Sequence, residues 1–255
     1  MHIKVLGAAA GIGHPHHTTS FLIDDDTLID CGTGVTSLRA DEMLSIRQVL
    51  LTHSHADHCG CLPLLADVHA SHRGPGLTVY SQQETLDALR AHLFNGELWP
   101  DYTRQPSAEQ PWLRLQAVEP GYALPLGEGL ATALPANHSV PALGWLIEGS
   151  WRALAFSGDS GPCPAFWQWV SNVPSLTDVI CELTYTDERQ AEAARQGHMT
   201  PALLLPFLPQ LPANTHLWIS HIDPGCREHM LEQLHSEYPN GLRVCPLREG
   251  MLIEL

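Results

Sequence analysis

The chain of 255 residues is long enough for one well-filled core, or for two fused halves that share one. Its 44% hydrophobic and 16% charged residues make an ordinary globular balance, which rules out disorder as the general state. Thirteen basic against 28 acidic side chains leave a formal charge of −15, which argues against a nucleic-acid-binding module. A small anion beside a bound cation is still allowed.

Seven cysteines, Cys31, Cys59, Cys61, Cys163, Cys181, Cys226 and Cys245, lack the dense spacing of a disulfide framework. The opening MHIKVLGAAAGIG becomes glycine-rich too early for a signal peptide, and no apolar run is long enough to span a bilayer. A reducing, cytoplasmic setting without membrane association is expected.

In chain order, Ile3–Leu6 reads as a strand that runs into the turn Gly7–Gly13. Phe21–Ile23 and Thr27–Ile29 are strands joined by Asp24–Asp26, and the second ends in the sharp turn Asp30-Cys31-Gly32-Thr33-Gly34. Val49–Thr52 is a buried strand, Leu62–His72 has helical apolar spacing, Leu77–Tyr80 returns to strand and Gln83–Leu93 is helical. A polar, irregular stretch follows from Asp101 to Pro111. Further strands fall near Ala131–Leu134, Gly144–Ile147, Ala153–Phe156, Val179–Cys181 and Leu217–Ile219, with helices near Pro164–Val170, Thr200–Leu211 and Cys226–Tyr238. Thr200 should be an N-cap with Pro201 in the first turn, and Pro206 should kink or shorten that helix. No repeat of solenoid period is present. Strands with interspersed helices in both halves predict two sheets packed face to face, helices outside, in one domain over residues 1–255.

The strand Val49–Thr52 delivers His53-Ser54-His55-Ala56-Asp57-His58 at its end. In a tight turn His53 and His55 can point to one metal ion while Asp57 and His58 point to its neighbour. Imidazole and carboxylate donors suit zinc, with divalent manganese or iron chemically acceptable. His138, Asp159 and His221 each lie just beyond an apolar strand, where a site can be built on rigid elements. Asp159, within Ser157-Gly158-Asp159-Ser160, is the carboxylate placed to bridge two metals. His14, His16 and His17 read as supporting or solvent-facing groups, and Cys59 and Cys61 as small buried neighbours.

The elements THSHADH, NHS, SGDS and SHIDP, in this order and spacing, resemble the metallo-β-lactamase superfamily over nearly the whole chain. The resemblance implies an α/β fold of four αββα layers. It also implies one metal on His53, His55 and His138, another on Asp57, His58 and His221, and Asp159 shared. Two ions ~3.5–4 Å apart activate water and stabilise charge on attacking and leaving oxygens, so the implied reaction class is hydrolysis.

Three further segments are similar to one branch, the class II 3',5'-cyclic-nucleotide phosphodiesterases. They are His92–Pro100, Cys181–Tyr185, and Gly197–Pro201 followed by Ile219–Pro224. The Gly-rich opening, Thr19–Leu22 and Asp30–Gly34 are also similar. That branch carries leucine where Ala56 stands and an aliphatic residue where Cys59 stands, two positions read as facing substrate. A homodimer is a further expectation from the family.

A cyclic phosphodiester, a small-molecule substrate, fits these residues. Asp57, His198 and Glu182 are expected to carry turnover: His198 would hydrogen-bond a phosphate oxygen near a helix N-terminus, with Glu182 orienting it. A capping or packing role for His198 is the alternative. Phe94 and Trp99 read as an aromatic wall for a base, a dimer contact or core. The rival functions are a tRNA 3'-end-processing endonuclease, a lactonase or thioester hydrolase, and an inactive metal-binding protein.

Overall fold

The computed structural model describes residues 1–237 and 243–255. One sheet contains β1 (His2–Gly7), β2 (Ser20–Ile23), β3 (Thr27–Ile29), β4 (Gln48–Leu50), β5 (Leu77–Ser81) and β6 (Leu113–Ala117). The second contains β7 (Ala123–Leu126), β8 (Gly129–Pro135), β9 (Leu143–Glu148), β10 (Ala153–Phe156), β11 (Leu176–Glu182), β12 (His216–Ser220) and β13 (Arg243–Pro246). The last strand, β14 (Leu252–Glu254), returns to the first sheet beside β1, so the spatial orders are β14-β1-β2-β3-β4-β5-β6 and β13-β12-β11-β10-β9-β8-β7.

Each sheet follows the same plan. The pairs from β14 to β3 are antiparallel and those from β3 to β6 parallel. Likewise the pairs from β7 to β10 are antiparallel and those from β10 to β13 parallel. Strands covered on both faces read as continuous apolar runs, which is why β2, β3 and β10 are buried along their whole length.

Three apolar layers hold the sheets and helices together. Between the sheets, Ile3, Val5 and Phe21 of the first meet Trp145, Phe156 and Ile180 of the second, with Phe21 and Phe156 edge to face at 5.1 Å. Outside the first sheet, α1 (Ala40–Ser45), α2 (Ala56–Cys59), α3 (Leu62–Ser71) and α4 (Gln83–His92) pack Met43, Cys59, Leu65 and Leu89 against Leu28, Val49 and Val79. Outside the second, α5 (Pro164–Val170), α7 (Pro201–Leu204) and α8 (Arg227–Glu237) cover Ala155, Val179 and Leu217; α6 (Gln190–Gln196) lies between β11 and α7 in the chain. The architecture is the expected αββα sandwich. No helix among the described residues is long and apolar enough to cross a membrane.

Several local expectations change. The helix expected over Thr200–Leu211 stops at Leu204 and continues as the 3-10 turn Leu205–Gln210, as Pro206 dictates. Thr200 occupies the N-cap position, yet its hydroxyl is buried without a hydrogen-bond partner. The cap comes from elsewhere: the Ala202 N–H donates to Asp187 Oδ1 at 2.9 Å. The helix ending at Tyr238 is α8, and Tyr238 itself lies outside the described residues. Strands β6, β7, β13 and β14 and helices α1, α2 and α6 carry too weak an apolar period to be read from sequence. In β6, for instance, Arg114 and Gln116 face solvent.

Phe156→Ala should remove a ring from the middle of the inter-sheet layer and cost ~3–5 kcal/mol of stability, the usual range for a buried aromatic. Urea unfolding measures it, and an unchanged midpoint would show that the sheets do not depend on this contact.

Candidate metal centre

The seven predicted donors come together at the strand ends. His53, His55, Asp57 and His58 lie beyond β4, with Asp57 and His58 in the short helix α2, and His138 follows β8. Asp159 follows β10 and His221 follows β12. One donor group is His53, His55 and His138; the second is Asp57, His58, Asp159 and His221; within each, the donor atoms lie within 4.8 Å of one another. Asp159 stands between them, its Oδ2 at 3.8 Å from His53 Nε2 and 3.3 Å from His221 Nε2.

Supporting bonds fix which nitrogen faces inward for four of the five imidazoles, those of His53, His58, His138 and His221. Asp30, fully buried after β3, receives the Nδ1–H of His58 at 2.7 Å and the Thr52 N–H and hydroxyl at 2.7 and 3.0 Å. Because the Thr52 hydroxyl donates to Asp30, it accepts from His53 Nδ1 at 3.0 Å. His138 Nδ1 donates to the Gly197 carbonyl at 2.8 Å, and His221 Nδ1 to the Thr184 hydroxyl at 2.9 Å. With these nitrogens spoken for, the inward Nε2 atoms of neutral His53, His138 and His221 present lone pairs.

Such an arrangement lacks a centre of positive charge. His138 Nε2 and His55 Nδ1 are 3.2 Å apart, and His58 Nε2 and His221 Nε2 3.3 Å apart. His53 Nε2 is buried with no partner, and so is Asp159 Oδ1, which sits 3.3 Å from His58 Nε2 without forming a hydrogen bond. Nitrogens this close repel unless a proton or a cation lies between them, and buried polar atoms without partners are costly. Divalent cations with N and O ligands relieve both, so these residues fit metal ions.

The electrostatics agree. Burial, reinforced by neighbouring imidazoles, holds His53 well below its ordinary pKa; burial also lowers His55 and His138, so all three favour the neutral form that ligates metal. Burial opposes charge on His58, but Asp159 and Asp30 outweigh it and hold its pKa well up. Burial likewise works against an ionised Asp159, and His221 and His58 overcome it, keeping the carboxyl well below its usual range. The surroundings that favour a proton on His58 favour a metal ion in the same place.

Two of the five non-glycine residues with positive φ are at this site. Asp30 and His221 adopt φ of 57° and 55°, conformations that non-glycine residues rarely take and that cost ~1–3 kcal/mol each. Gly197, at φ 73°, passes so close to His138 that a Cβ would lie 2.8 Å from the His138 Cα. Only glycine lets that carbonyl reach the imidazole.

The donors open onto a cleft of about 400 Å3 whose wall also includes Tyr185, His198 and Asp223. Glu182 is fully buried: Oε1 accepts from His198 Nδ1 at 2.8 Å and from the Ser160 N–H at 3.1 Å, while Oε2 accepts the Thr184 N–H and hydroxyl at 3.0 and 2.8 Å. Burial lowers the His198 pKa, but Glu182 reverses the effect and raises it.

Other expectations need correction. Cys59 is packed in the layer outside the first sheet and does not line the cleft, whereas Ala56 is exposed between the cleft residues His55 and Asp57. Phe94 is buried in the same layer with Trp99 packed against it, which leaves the cleft without that aromatic wall. In line with the sequence reading, by contrast, His14, His16 and His17 join neither donor group, and all seven cysteines are free. Sequence reading passed over Asp30, Thr52, Thr184 and the Gly197 carbonyl as supports. Only Asp30 left a signal, a carboxylate directly after a buried strand.

A two-sheet αββα sandwich with these His/Asp groups at its strand ends defines a metal-dependent hydrolase of the metallo-β-lactamase fold. The chain belongs to the Beta-lactamase superfamily domain family, whose model matches residues 26–222. It is 27% identical over 236 residues to a "Probable 3',5'-cyclic-nucleotide phosphodiesterase" of Yersinia pestis, covering 81% of this chain and 67% of that protein. It is 36% identical over 138 residues to "Ribonuclease Z" of Synechococcus sp. (strain CC9311), covering 52% of this chain and 42% of that protein. Among solved structures, unliganded yeast PDE1 aligns with a TM-score of 0.81 at 16% identity, covering 100% of this chain and 99% of that one. The metallo-beta-lactamase fold protein YhfI from Bacillus subtilis aligns with a TM-score of 0.78 at 18% identity, covering 99% and 98%. At these identities the structural likeness is one of fold.

Asp30→Asn should keep the fold, checked by circular dichroism, yet weaken metal binding ~10–100-fold, because it removes the charge and leaves one acceptor oxygen where His58 and Thr52 use two. Chelator competition reads the affinity, and unchanged binding would mean that His58 needs no support from Asp30.

Proposed function

We propose that the protein hydrolyses a 3',5'-cyclic nucleotide, such as cAMP, to the 5'-monophosphate with two divalent ions, zinc best matching the donors. The observation that carries this reading is the Glu182–His198 pair, set on the wall of the same cleft as both donor groups. His53, His55 and His138 would hold one ion and Asp57, His58 and His221 the other, with Asp159 between. When bound, the ions supply Lewis acidity and a water of lowered pKa.

The chain's own residues do the rest. His198 Nδ1 is committed to Glu182, so Nε2 is the nitrogen left to hydrogen-bond a phosphate oxygen or to give a proton to the departing 3'-oxygen. Glu182 holds the ring in that orientation. Asp57, partly exposed on the cleft and 3.1 Å from His221 Nε2, bounds the place where the scissile phosphate would lie. The likeness to the Yersinia protein supports the substrate class. The likeness to a ribonuclease Z supports a second reading, pre-tRNA cleavage, against which the formal charge of −15 weighs.

Metal-loaded protein assayed against cyclic nucleotides, bis(p-nitrophenyl) phosphate, pre-tRNA, lactones and thioesters decides between them. Cyclic-nucleotide turnover with 5'-monophosphate as product is expected; its absence from fully metallated protein would leave only the broader hydrolase. Asp57→Ala should abolish turnover and weaken one metal site selectively, and near-normal activity would remove the two-metal scheme. His198→Ala should retain its metals and lose ~10²–10⁴-fold in rate, the range for a positioned acid–base group. Glu182→Gln should lose less, and the double variant little more than His198→Ala, because the pair acts as a unit. A diester with a good leaving group should be less sensitive to His198→Ala; equal sensitivity would limit His198 to binding phosphate.

A further inference from the structure

A second cavity, of about 250 Å3, opens along the Gly-rich segment that follows β1: Ala8 and Ala9 line it, while Ala10 and Gly11 line the cleft. Two arginines share it. Arg227 is the first residue of α8, three positions after the cleft residue Pro224, and Arg248 lies between β13 and β14.

Neither guanidinium has a partner among the described residues, although Arg227 is half-buried. The nearby carboxylate, Glu249, is already engaged: its Oε1 accepts the His17 N–H at 2.7 Å and its Oε2 accepts from His17 Nδ1 at 2.8 Å. Arg189 makes the contrast. Its guanidinium donates to Glu192 at 2.9 Å and to Asp223 at 3.0 Å, so this fold supplies acceptors where an arginine is structural.

Arg227 is unfavourable on three counts. Its burial removes water from a charge, Arg248 adds like-charge repulsion, and a cation at the first turn of a helix opposes the helix dipole. Burial and then Arg248 lower its pKa, and the attraction of Glu249, on the same cavity wall, does not make up for them. An anion between the two guanidinium groups would cancel the repulsion and satisfy their donors, and planar five-donor forks suit the tetrahedral oxygens of phosphate.

We propose that this cavity is a phosphate-binding subsite, separate from the metal centre, in which Arg227 and Arg248 clamp one phosphate group. It does not depend on the cyclic-nucleotide reading. The phosphate could come from a free anion or be an additional phosphate on a molecule whose scissile ester lies in the adjoining cleft.

The test is a titration of metal-loaded protein with inorganic phosphate, followed by the arginine Nε–H signals in NMR and assigned with Arg227→Gln and Arg248→Gln. Both signals should move together with one saturable dissociation constant. The same movement should persist in Asp57→Ala, where the metal centre is impaired. Either arginine substitution should weaken the response of the other by about tenfold or more, the scale of a charge-assisted contact. No saturable movement, or movement that disappears in Asp57→Ala, overturns the proposal. Paired diesters that differ by one terminal phosphate then identify the source. A KM increase in Arg227→Gln confined to the phosphate-bearing diester assigns the group to the substrate. Equal KM values with the phosphate response intact in wild type assign it to a free anion.

Discussion

Five imidazole nitrogens and two carboxylates face one another at the sheet edge with few protons to share, and this crowding governs the rest of the structure. Four of the outward nitrogens already donate to an oxygen: His53 to Thr52, His58 to Asp30, His138 to the Gly197 carbonyl, His221 to Thr184. The inward nitrogens approach to 3.2 and 3.3 Å with too few protons to bridge every contact. Water could serve one such pair but would have to donate to every donor in a largely buried cluster. A divalent ion accepts from all of them at once, and folding and metal binding then share free energy.

Holding those atoms together needs rigid supports, which explains the topology at this edge. The donors leave β4, β8, β10 and β12, so contributions from both sheets converge only if the inter-sheet layer fixes one sheet against the other. Phe156, three residues before Asp159, ties that layer to the carboxylate between the two donor groups. The left-handed backbone at Asp30 and His221 places strain at the same edge, one residue supporting a donor and the other supplying one. These residues turn sharply because a donor or its support must point inward from the end of a strand.

The donor set was legible in the sequence because each member directly follows an apolar strand, and apolar runs are strong signals. The supports were not. Thr52 and Thr184 are ordinary threonines in any one-dimensional reading, and the acceptor for His138 is a backbone carbonyl, which has no side-chain signature at all. The same limit applies to the fold. Strands buried on both faces, such as β2, β3 and β10, stand out as apolar runs, whereas edge strands such as β6 keep polar side chains in water and read as loops. The Thr200 cap was misread for a related reason: sequence names the residue at the N-cap position, but Asp187, from a separate turn, supplies the acceptor.

Glu182 connects two parts of the site that sequence places far apart. Through Oε1 it orients His198, and through Oε2 it receives the Thr184 hydroxyl, leaving that oxygen to accept from His221. One buried carboxylate thus sets the tautomer of a donor in the metal group and the orientation of the histidine facing the cleft. His198 also falls within reach of His138 and Asp159. What distinguishes it from the seven donors is that both donor groups are complete without it; its Nδ1 is bonded to Glu182, and its ring stacks on His221 at 5.5 Å. On the proposed function, a histidine so tied to Glu182 would deal with the substrate rather than with the ions. That division of labour follows from the two oxygens of Glu182, each with its own pair of donors.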